Sequence, residues 1–156
     1  MGDKLKVGFI GLGDIGRPMA KHLVCDQFEV YVFDLVPEAV AELEALGASG
    51  CESVAELSKL CDHIGVCVRD DAQVESLLYG DEGIFANARE GVVVAIHSTV
   101  IQANLLKWVG EASGLGIRLL DTPITGGASG AEAGTLCYMV GGSEDDLVTV
   151  SPVFTT

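Results

Sequence analysis

Basic residues are scarce in this sequence. Nine Lys and Arg residues stand against 23 Asp and Glu residues, which gives a formal net charge of −14. Binding to nucleic acid or to an anionic membrane surface requires clustered Lys and Arg, so we expect neither kind of partner. A small anionic ligand is not excluded, because backbone N–H groups can bind one locally.

Paired cysteines and long apolar runs are also missing. The five cysteines, at positions 25, 51, 61, 67 and 137, form no C-x-x-C pair and are odd in number. This pattern argues against a disulfide framework and against a zinc site; we expect no metal, and buried free thiols in a reducing cytoplasm. The chain opens without a signal-peptide pattern, and no apolar run reaches membrane-spanning length. These absences favour a cytoplasmic location.

Short apolar runs alternate with helical patterns along the chain. Strand patterns cover 6–10, 28–33, 63–68, 91–96, 118–121 and 135–140, and helical patterns cover 15–25, 37–46, 53–61, 71–79 and 103–113. Such alternation is typical of βαβ crossovers, and near-continuous apolar strands predict helices on both faces of a parallel sheet. We predict a single doubly wound, mostly parallel α/β domain over residues 1–156, with strand order 3-2-1-4-5-6 plus added strands.

Three glycines follow the first predicted strand in a G-x-G-x-x-G spacing, at Gly11, Gly13 and Gly16. A glycine triplet alone is a weak signal, but here a strand precedes it and a helical pattern follows. Asp34 ends the second predicted strand, 18 residues after Gly16. Together these features are the Rossmann dinucleotide-binding fingerprint, so we predict this fold and a nicotinamide dinucleotide cofactor.

The chemistry of the fingerprint assigns a part to each residue. Gly11 permits the tight turn, Gly13 lets the pyrophosphate approach the backbone, and Gly16 lets the helix pack on the strand. The helix N-terminus offers N–H groups and a positive dipole end to the phosphates, which brings the intervening Leu12, Asp14 and Ile15 into the predicted cofactor site. Asp34 can accept hydrogen bonds from a ribose 2′-OH and would repel a 2′-phosphate. It favours NAD, with NADP possible if a nearby Arg or a loop shift compensates.

A second glycine-rich stretch follows the strand at 118–121. Residues 121–136 read DTPITGGASGAEAGTL, and we predict a long functional loop. The two stretches together resemble the β-hydroxyacid dehydrogenase family, which includes 3-hydroxyisobutyrate and 6-phosphogluconate dehydrogenases. That family opens with F-I-G-L-G-x-M-G-x-P-M-A-x-x-L, matched here from Phe9 to Leu23 except for Ile15. Its substrate loop, D-x-P-[VI]-[ST]-G-G-x-x-G-A-x-x-G-T-L, is matched at every fixed position.

The resemblance implies further site residues. The family's Leu-Pro after the fourth strand contacts the nicotinamide half of the cofactor and falls on Val68 and Arg69, so the proline is absent. The family's D-x-S-T falls on residues 96–99, with Ile96 in place of the Asp. The implied roles are nicotinamide-ribose contact for Thr99 and substrate contact for the following residues: Ser98, Thr125, Gly126 and Gly127.

His97 also stands at the end of a predicted strand, where ligands of α/β proteins bind. An imidazole there could act as a general base. The resembling family uses a lysine instead, so we expect His97 to be packed or to lie at the cofactor edge. Trp108 is expected in the core, or covering a surface that a second domain would occupy.

The resemblance implies hydride transfer between the nicotinamide and a small 3-hydroxy acid. The family's catalytic lysine lies in a G-x-G-x-x-x-K-x-x-N helix that these 156 residues do not contain, and its all-helical second domain is also absent. We therefore expect one domain of a longer, homo-oligomeric enzyme, which binds the cofactor but does not turn over. Three alternatives remain open: a non-catalytic nucleotide-binding module, a decarboxylating 6-phosphogluconate-type dehydrogenase and an imine reductase.

Overall fold

Six parallel strands form the central sheet of the computed structural model, which describes residues 2–156; Met1, the first residue of the predicted domain, lies outside that range. The strands are β1 (Leu5–Ile10), β2 (Phe28–Phe33), β3 (Ser49–Gly50), β4 (His63–Val66), β5 (Val93–Ile96) and β6 (Arg118–Asp121). Their spatial order is β3-β2-β1-β4-β5-β6. The predicted fold class is confirmed, and the observed order has the predicted form 3-2-1-4-5-6. Its third strand, β3, was not among the predicted strands, and the predicted strand at 135–140 is not part of this sheet.

Eight helices connect and cover the strands. They are α1 (Gly16–Leu23), α2 (Pro37–Glu44), α3 (Val54–Leu60), α4 (Asp71–Leu78), α5 (Ile84–Asn87), α6 (Gln102–Gly114), α7 (Gly127–Ala133) and α8 (Glu144–Phe154). One apolar cluster combines residues of α3, α4, α5 and α6 with the sheet, and a second combines residues of α1, α2, α7 and α8 with it. The expectation that both sheet faces are covered is thus confirmed. None of these helices is both long and apolar enough to cross a bilayer.

Two stretches differ from the sequence-based prediction. The strand predicted over 135–140 is reduced to β8 (Cys137–Tyr138), which pairs antiparallel with β7 (Ile124–Thr125) outside the main sheet. The stretch predicted as a continuous loop contains helix α7. This helix was not predicted because the stretch contains four glycines. Glycine is a poor helix former, so its presence favours a loop prediction.

Trp108 and two of the five cysteines lie in the buried environments expected for them, while Cys25 and Cys67 are half-buried. Trp108 is fully buried, and its indole N–H donates to Glu75, so its expected place in the core is confirmed. All five cysteines are free, and Cys51 and Cys61 are buried. Burial raises the pKa of the Cys51 thiol to about 11, so that thiol stays protonated at neutral pH. Cys137, in contrast, is exposed.

Candidate functional site

Five strands end in one row at a single edge of the sheet. The pairing aligns Ile10 with Phe33 and with Val66, Val66 with Ile96, and Ile96 with Asp121. The segments after β1, β2 and β4 therefore leave the sheet side by side. They enclose an open groove of about 1430 Å³, in the position where doubly wound sheets bind their ligands.

The groove brings together most of the residues predicted to bind the cofactor. Its lining includes Gly11, Gly13, Asp14, Ile15, Gly16, Asp34, Val68 and Arg69. Leu12 lies beneath them and is buried. Apolar side chains that the fingerprint does not specify complete the wall, among them Leu35, Val36 and Leu77. Leu35 is 88% exposed, an unusual position for a leucine that no ligand or protein surface covers.

The three glycines of the turn differ in the space that surrounds a side chain at their position. Gly11 has φ +94°, and a Cβ on it would lie 2.2 Å from the carbonyl oxygen of Cys67. A Cβ on Gly16 would lie 1.9 Å from the carbonyl oxygen of Gly11. A Cβ on Gly13 would meet no atom within 4 Å. The first and third glycines are thus needed by the fold itself, whereas the second faces open space in the groove.

Helix α1 points its N-terminus into this groove. Ile15 occupies the cap position, and no side chain caps the helix. In its first turn Pro18 has no N–H, and the Arg17 N–H donates to the Gly13 carbonyl at 3.0 Å. The Gly16 N–H and the positive end of the helix dipole are therefore the features that can bind a phosphate. The groove therefore combines an uncapped helix N-terminus with a glycine that leaves room for a ligand.

Asp34 is fixed by two backbone hydrogen bonds. Its Oδ2 accepts from the N–H of Leu12 at 2.6 Å, and its Oδ1 accepts from the N–H of Val36 at 2.8 Å. The carboxylate therefore ties the end of β2 to the glycine turn after β1. Sequence reasoning identified Asp34 as a ribose contact but missed this structural task, because the bond joins residues 22 positions apart. The Leu12 N–H is already used in this bond, and a cofactor contact at Leu12 stays a prediction.

Ser98 is placed to hold the segment after β4. Its hydroxyl accepts from the N–H of Val68 at 3.0 Å and donates to the carbonyl of the same residue at 2.8 Å. Ser98 is 5% exposed. The geometry makes Ser98 a positioning residue for Val68, one of the groove residues, and its predicted contact with substrate stays a prediction.

Replacing Ser98 with alanine is expected to lower the free energy of unfolding by about 1–2 kcal/mol, because both polar groups of Val68 lose their partner. Urea unfolding measures this loss, and hydrogen exchange should show faster exchange of the Val68 amide. Thr99→Ala is the matched control, because Thr99 is exposed. It should change stability by less than about 0.5 kcal/mol. Equal stability of the Ser98 variant and the wild type would contradict the positioning role.

Thr99, which was predicted to contact the nicotinamide ribose, and the other predicted substrate residues lie outside the groove lining. Thr99 follows β5, while Thr125, Gly126 and Gly127 lie at the end of β7 and the start of α7. All four are exposed, and Gly126 and Gly127 have φ of +132° and +63°, values that favour glycine. The structure places them near the carboxyl ends of β5 and β6 without a contact to the cofactor groove.

Helix α7 is attached to helix α1 by side chains near its end. Nε2 of His22 lies 3.0 Å from the carbonyl oxygen of Ala131 and 3.1 Å from that of Glu132. Because carbonyl oxygens only accept, this nitrogen carries the proton. Lys21 adds an exposed salt bridge to Glu132 at 2.9 Å. The helix that starts at the predicted substrate glycines is therefore anchored to the helix that starts at the cofactor turn.

His97 is packed, as expected. It is 4% exposed and stacks on Phe9 with ring centroids 5.8 Å apart. Its Nδ1 lies 3.1 Å from the carbonyl oxygen and 3.0 Å from the hydroxyl oxygen of Thr122. Burial lowers the pKa of His97 to about 4, and the imidazole is neutral at pH 7. Neither the groove lining nor an exposed surface includes this side chain, and the general-base alternative gains no support from it.

The comparisons with known proteins decide the family. Residues 6–156 match the family model described as the NAD binding domain of 6-phosphogluconate dehydrogenase. The chain belongs to this family. The 2-(hydroxymethyl)glutarate dehydrogenase of Eubacterium barkeri is 38% identical over 153 residues, which are 98% of this chain and 51% of that protein.

Solved structures agree with the family assignment. The Mycobacterium tuberculosis 3-hydroxyisobutyrate dehydrogenase described with L-serine superposes with a TM-score of 0.90 at 29% identity, covering 98% of this chain and 52% of that one. A protein described as Psf3 in complex with NADP⁺ and 2-OPP superposes with a TM-score of 0.90 at 26% identity. The match covers 96% of this chain and 53% of that one. The chain thus spans about half the length of the relatives it matches. The resemblance to the hydroxyacid dehydrogenases is confirmed, and the relatives are oxidoreductases.

Proposed function

We propose that this member of the 6-phosphogluconate dehydrogenase NAD-binding family binds NAD in the groove at the ends of β1, β2 and β4. It would form the cofactor half of a cytoplasmic dehydrogenase that resembles 3-hydroxyisobutyrate dehydrogenase and acts on a small 3-hydroxy acid. The observation that carries the proposal is the Asp34 carboxylate, fixed 2.6 Å from the Leu12 N–H at the glycine turn. A carboxylate at this point fits a ribose with a free 2′-OH.

The groove has the shape and polarity that a dinucleotide needs. The open space at Gly13 gives a pyrophosphate access to the backbone, and the Gly16 N–H at the positive end of the α1 dipole can donate to it. Asp34 accepts from the adenosine ribose, and Leu35 and Val36 offer an apolar edge to the adenine. Ser98 holds Val68, and with it the segment that lies beside the nicotinamide half. The bound nicotinamide supplies hydride transfer, and this chain orients it.

For the substrate we propose the exposed residues beyond the groove. Gly126 and Gly127 present backbone N–H groups and Thr125 presents a hydroxyl, which together suit the carboxylate or hydroxyl of a small 3-hydroxy acid. The resembling family assigns proton transfer to a lysine in a motif that these residues do not contain. We therefore propose that residues 1–156 alone bind the cofactor without turning over substrate.

A titration of the chain with NADH and with NADPH tests the cofactor choice. The wild type should bind NADH more tightly by about tenfold or more, because Asp34 repels a 2′-phosphate. Asp34→Asn removes the charge and keeps one acceptor oxygen, so it should erase most of this ratio. Asp14→Asn is the matched control, since Asp14 is an exposed carboxylate of the same groove, and it should leave the ratio unchanged. A wild type that prefers NADPH would contradict the assignment to Asp34.

One observation favours a second candidate function, a non-catalytic nucleotide-binding module. The family pattern has an Asp where this chain has Ile96, and Ile96 is fully buried. A longer form of the protein that binds NADH but oxidises no small 3-hydroxy acid would support the module. Hydride transfer to NAD by that longer form would support the dehydrogenase.

A further inference from the structure

The groove that is proposed to bind NAD has an unusual charge distribution. Its lining contains two carboxylates, Asp14 and Asp34, and a single cationic side chain, Arg69. The whole chain carries a formal net charge of −14. A dinucleotide brings further negative charge on its two phosphates. Repulsion from the groove carboxylates therefore has to be offset near the phosphates, and helix α1 supplies only the partial charge of its dipole.

Arg69 lies on the β4 side of the glycine turn. It follows β4, which is the neighbour of β1 in the sheet, whereas Asp34 follows β2 on the other side of β1. The order across the groove is thus Asp34, glycine turn, Arg69. Gln73 accepts from the Arg69 N–H at 2.9 Å through its side chain. This bond fixes the backbone from which the guanidinium extends.

The guanidinium is available for a ligand. Arg69 is exposed, and none of the salt bridges formed within residues 2–156 includes it. Other arginines are engaged: Arg17 with Glu42, Arg89 with Asp62 and Arg118 with Asp146. In a chain with such an excess of acidic residues, an arginine without a carboxylate partner at the edge of an acidic groove points to an anionic ligand.

We propose that the Arg69 side chain binds the diphosphate of the cofactor from the β4 side of the glycine turn. The inference rests on the proposed function. It goes beyond the backbone contact that the family's Leu-Pro motif implies at Val68 and Arg69, because the ligand contact now comes from a guanidinium that this motif does not contain. The planar guanidinium donates two parallel hydrogen bonds to a phosphate, and the Gly16 N–H at the start of α1 can donate as well. Arg69 is thus a binding residue for the diphosphate.

ADP-ribose is the probe that tests this contact, because it contains the diphosphate and lacks the nicotinamide. Calorimetric titration should show that Arg69→Met weakens ADP-ribose and NADH equally, by about tenfold. Adenosine, which has no phosphate, should bind the variant and the wild type equally. Arg69→Lys should recover part of the affinity, because it restores the charge without the bidentate geometry. The ratio between wild type and Arg69→Met should also shrink at high salt, where exposed charges are screened.

Lys59→Met is the matched control. Lys59 is an exposed cation near the end of α3 and is no part of the groove lining. Its loss changes the net charge by the same amount and should leave ADP-ribose affinity within about twofold. Unchanged ADP-ribose binding by Arg69→Met, with weaker binding only of a carboxylate substrate, would overturn the inference and leave the proposed function standing. A wild type that binds neither ADP-ribose nor NADH would overturn the proposed function itself.

Discussion

Gly13→Ala is expected to weaken NADH binding by between about tenfold and about 100-fold without destabilising the protein. A Cβ at this position meets no protein atom within 4 Å, and the backbone of Gly13 lies outside the positive-φ region. The methyl group would instead occupy the space through which a pyrophosphate approaches the turn. The free energy of unfolding should stay the same or rise by up to about 1 kcal/mol, because alanine restricts the unfolded chain more than glycine does.

Gly16→Ala provides the matched comparison, because its main expected effect is a loss of stability and not a direct loss of NADH affinity. Its Cβ would lie 1.9 Å from the carbonyl oxygen of Gly11, and a backbone atom cannot move away cheaply. Separating α1 from the turn should lower the free energy of unfolding by roughly 3 kcal/mol or more. Urea unfolding without ligand and NADH titration of both variants make the test. Equal destabilisation by the two substitutions would contradict the separate tasks of the two glycines, and unchanged NADH affinity of Gly13→Ala would contradict the site.

The strand order and the cofactor groove could be predicted because their signals are local. A buried strand, a glycine turn and an acidic residue at the next strand end all occur within about 30 residues, the length of one βαβ unit. β3 escaped prediction because it consists of two residues, Ser49 and Gly50, and a two-residue strand has no periodicity to read.

The contacts that connect distant segments could not be predicted. Examples are the hydrogen bond from the Leu12 N–H to Asp34 and the two hydrogen bonds between Val68 and Ser98. They depend on which strands are neighbours in the sheet, and the order of residues along one strand does not show which strand lies beside it. The same reason explains why the sequence did not show the two hydrogen bonds between Ser98 and Val68; the substrate contact of Ser98 stays a prediction. A serine at a strand end predicts a polar contact but leaves open whether the contact is a ligand or the neighbouring backbone.

The buried histidine pair makes the fold sensitive to mild acid. His63 and His97 are each 4% exposed, and both pack against Phe154, with ring centroids 6.0 and 5.7 Å away. Burial lowers the pKa of His97 to about 4, and burial together with repulsion from His97 lowers the pKa of His63 to about 3. Both imidazoles are therefore neutral in the folded protein throughout the range in which an unfolded histidine takes up a proton, near pH 6.5.

Stability should consequently fall as the pH falls. Below about pH 6.5 the unfolded chain binds two protons that the folded chain does not, and this difference persists until the pH approaches the folded pKa values. Each proton changes the free energy of unfolding by about 1.4 kcal/mol per pH unit, so the pair should lower it by about 2 kcal/mol between pH 6 and pH 5. The carboxylates begin to take up protons towards pH 5 in the folded and in the unfolded chain, so histidine variants are needed to separate the two contributions.

Urea unfolding at half-unit steps from pH 7.5 to pH 5 measures the slope. His97→Gln and His63→Gln should each reduce the slope by about half, because each leaves one buried imidazole to titrate. The readout is the slope, so it survives any uniform loss of stability that the substitutions cause. An unchanged slope in both variants would show that other groups take up the protons, and a flat wild-type profile would show that the imidazoles are hydrated in the folded protein. The expected slope follows from the position of this pair, which is buried between the sheet and Phe154 at the end of α8.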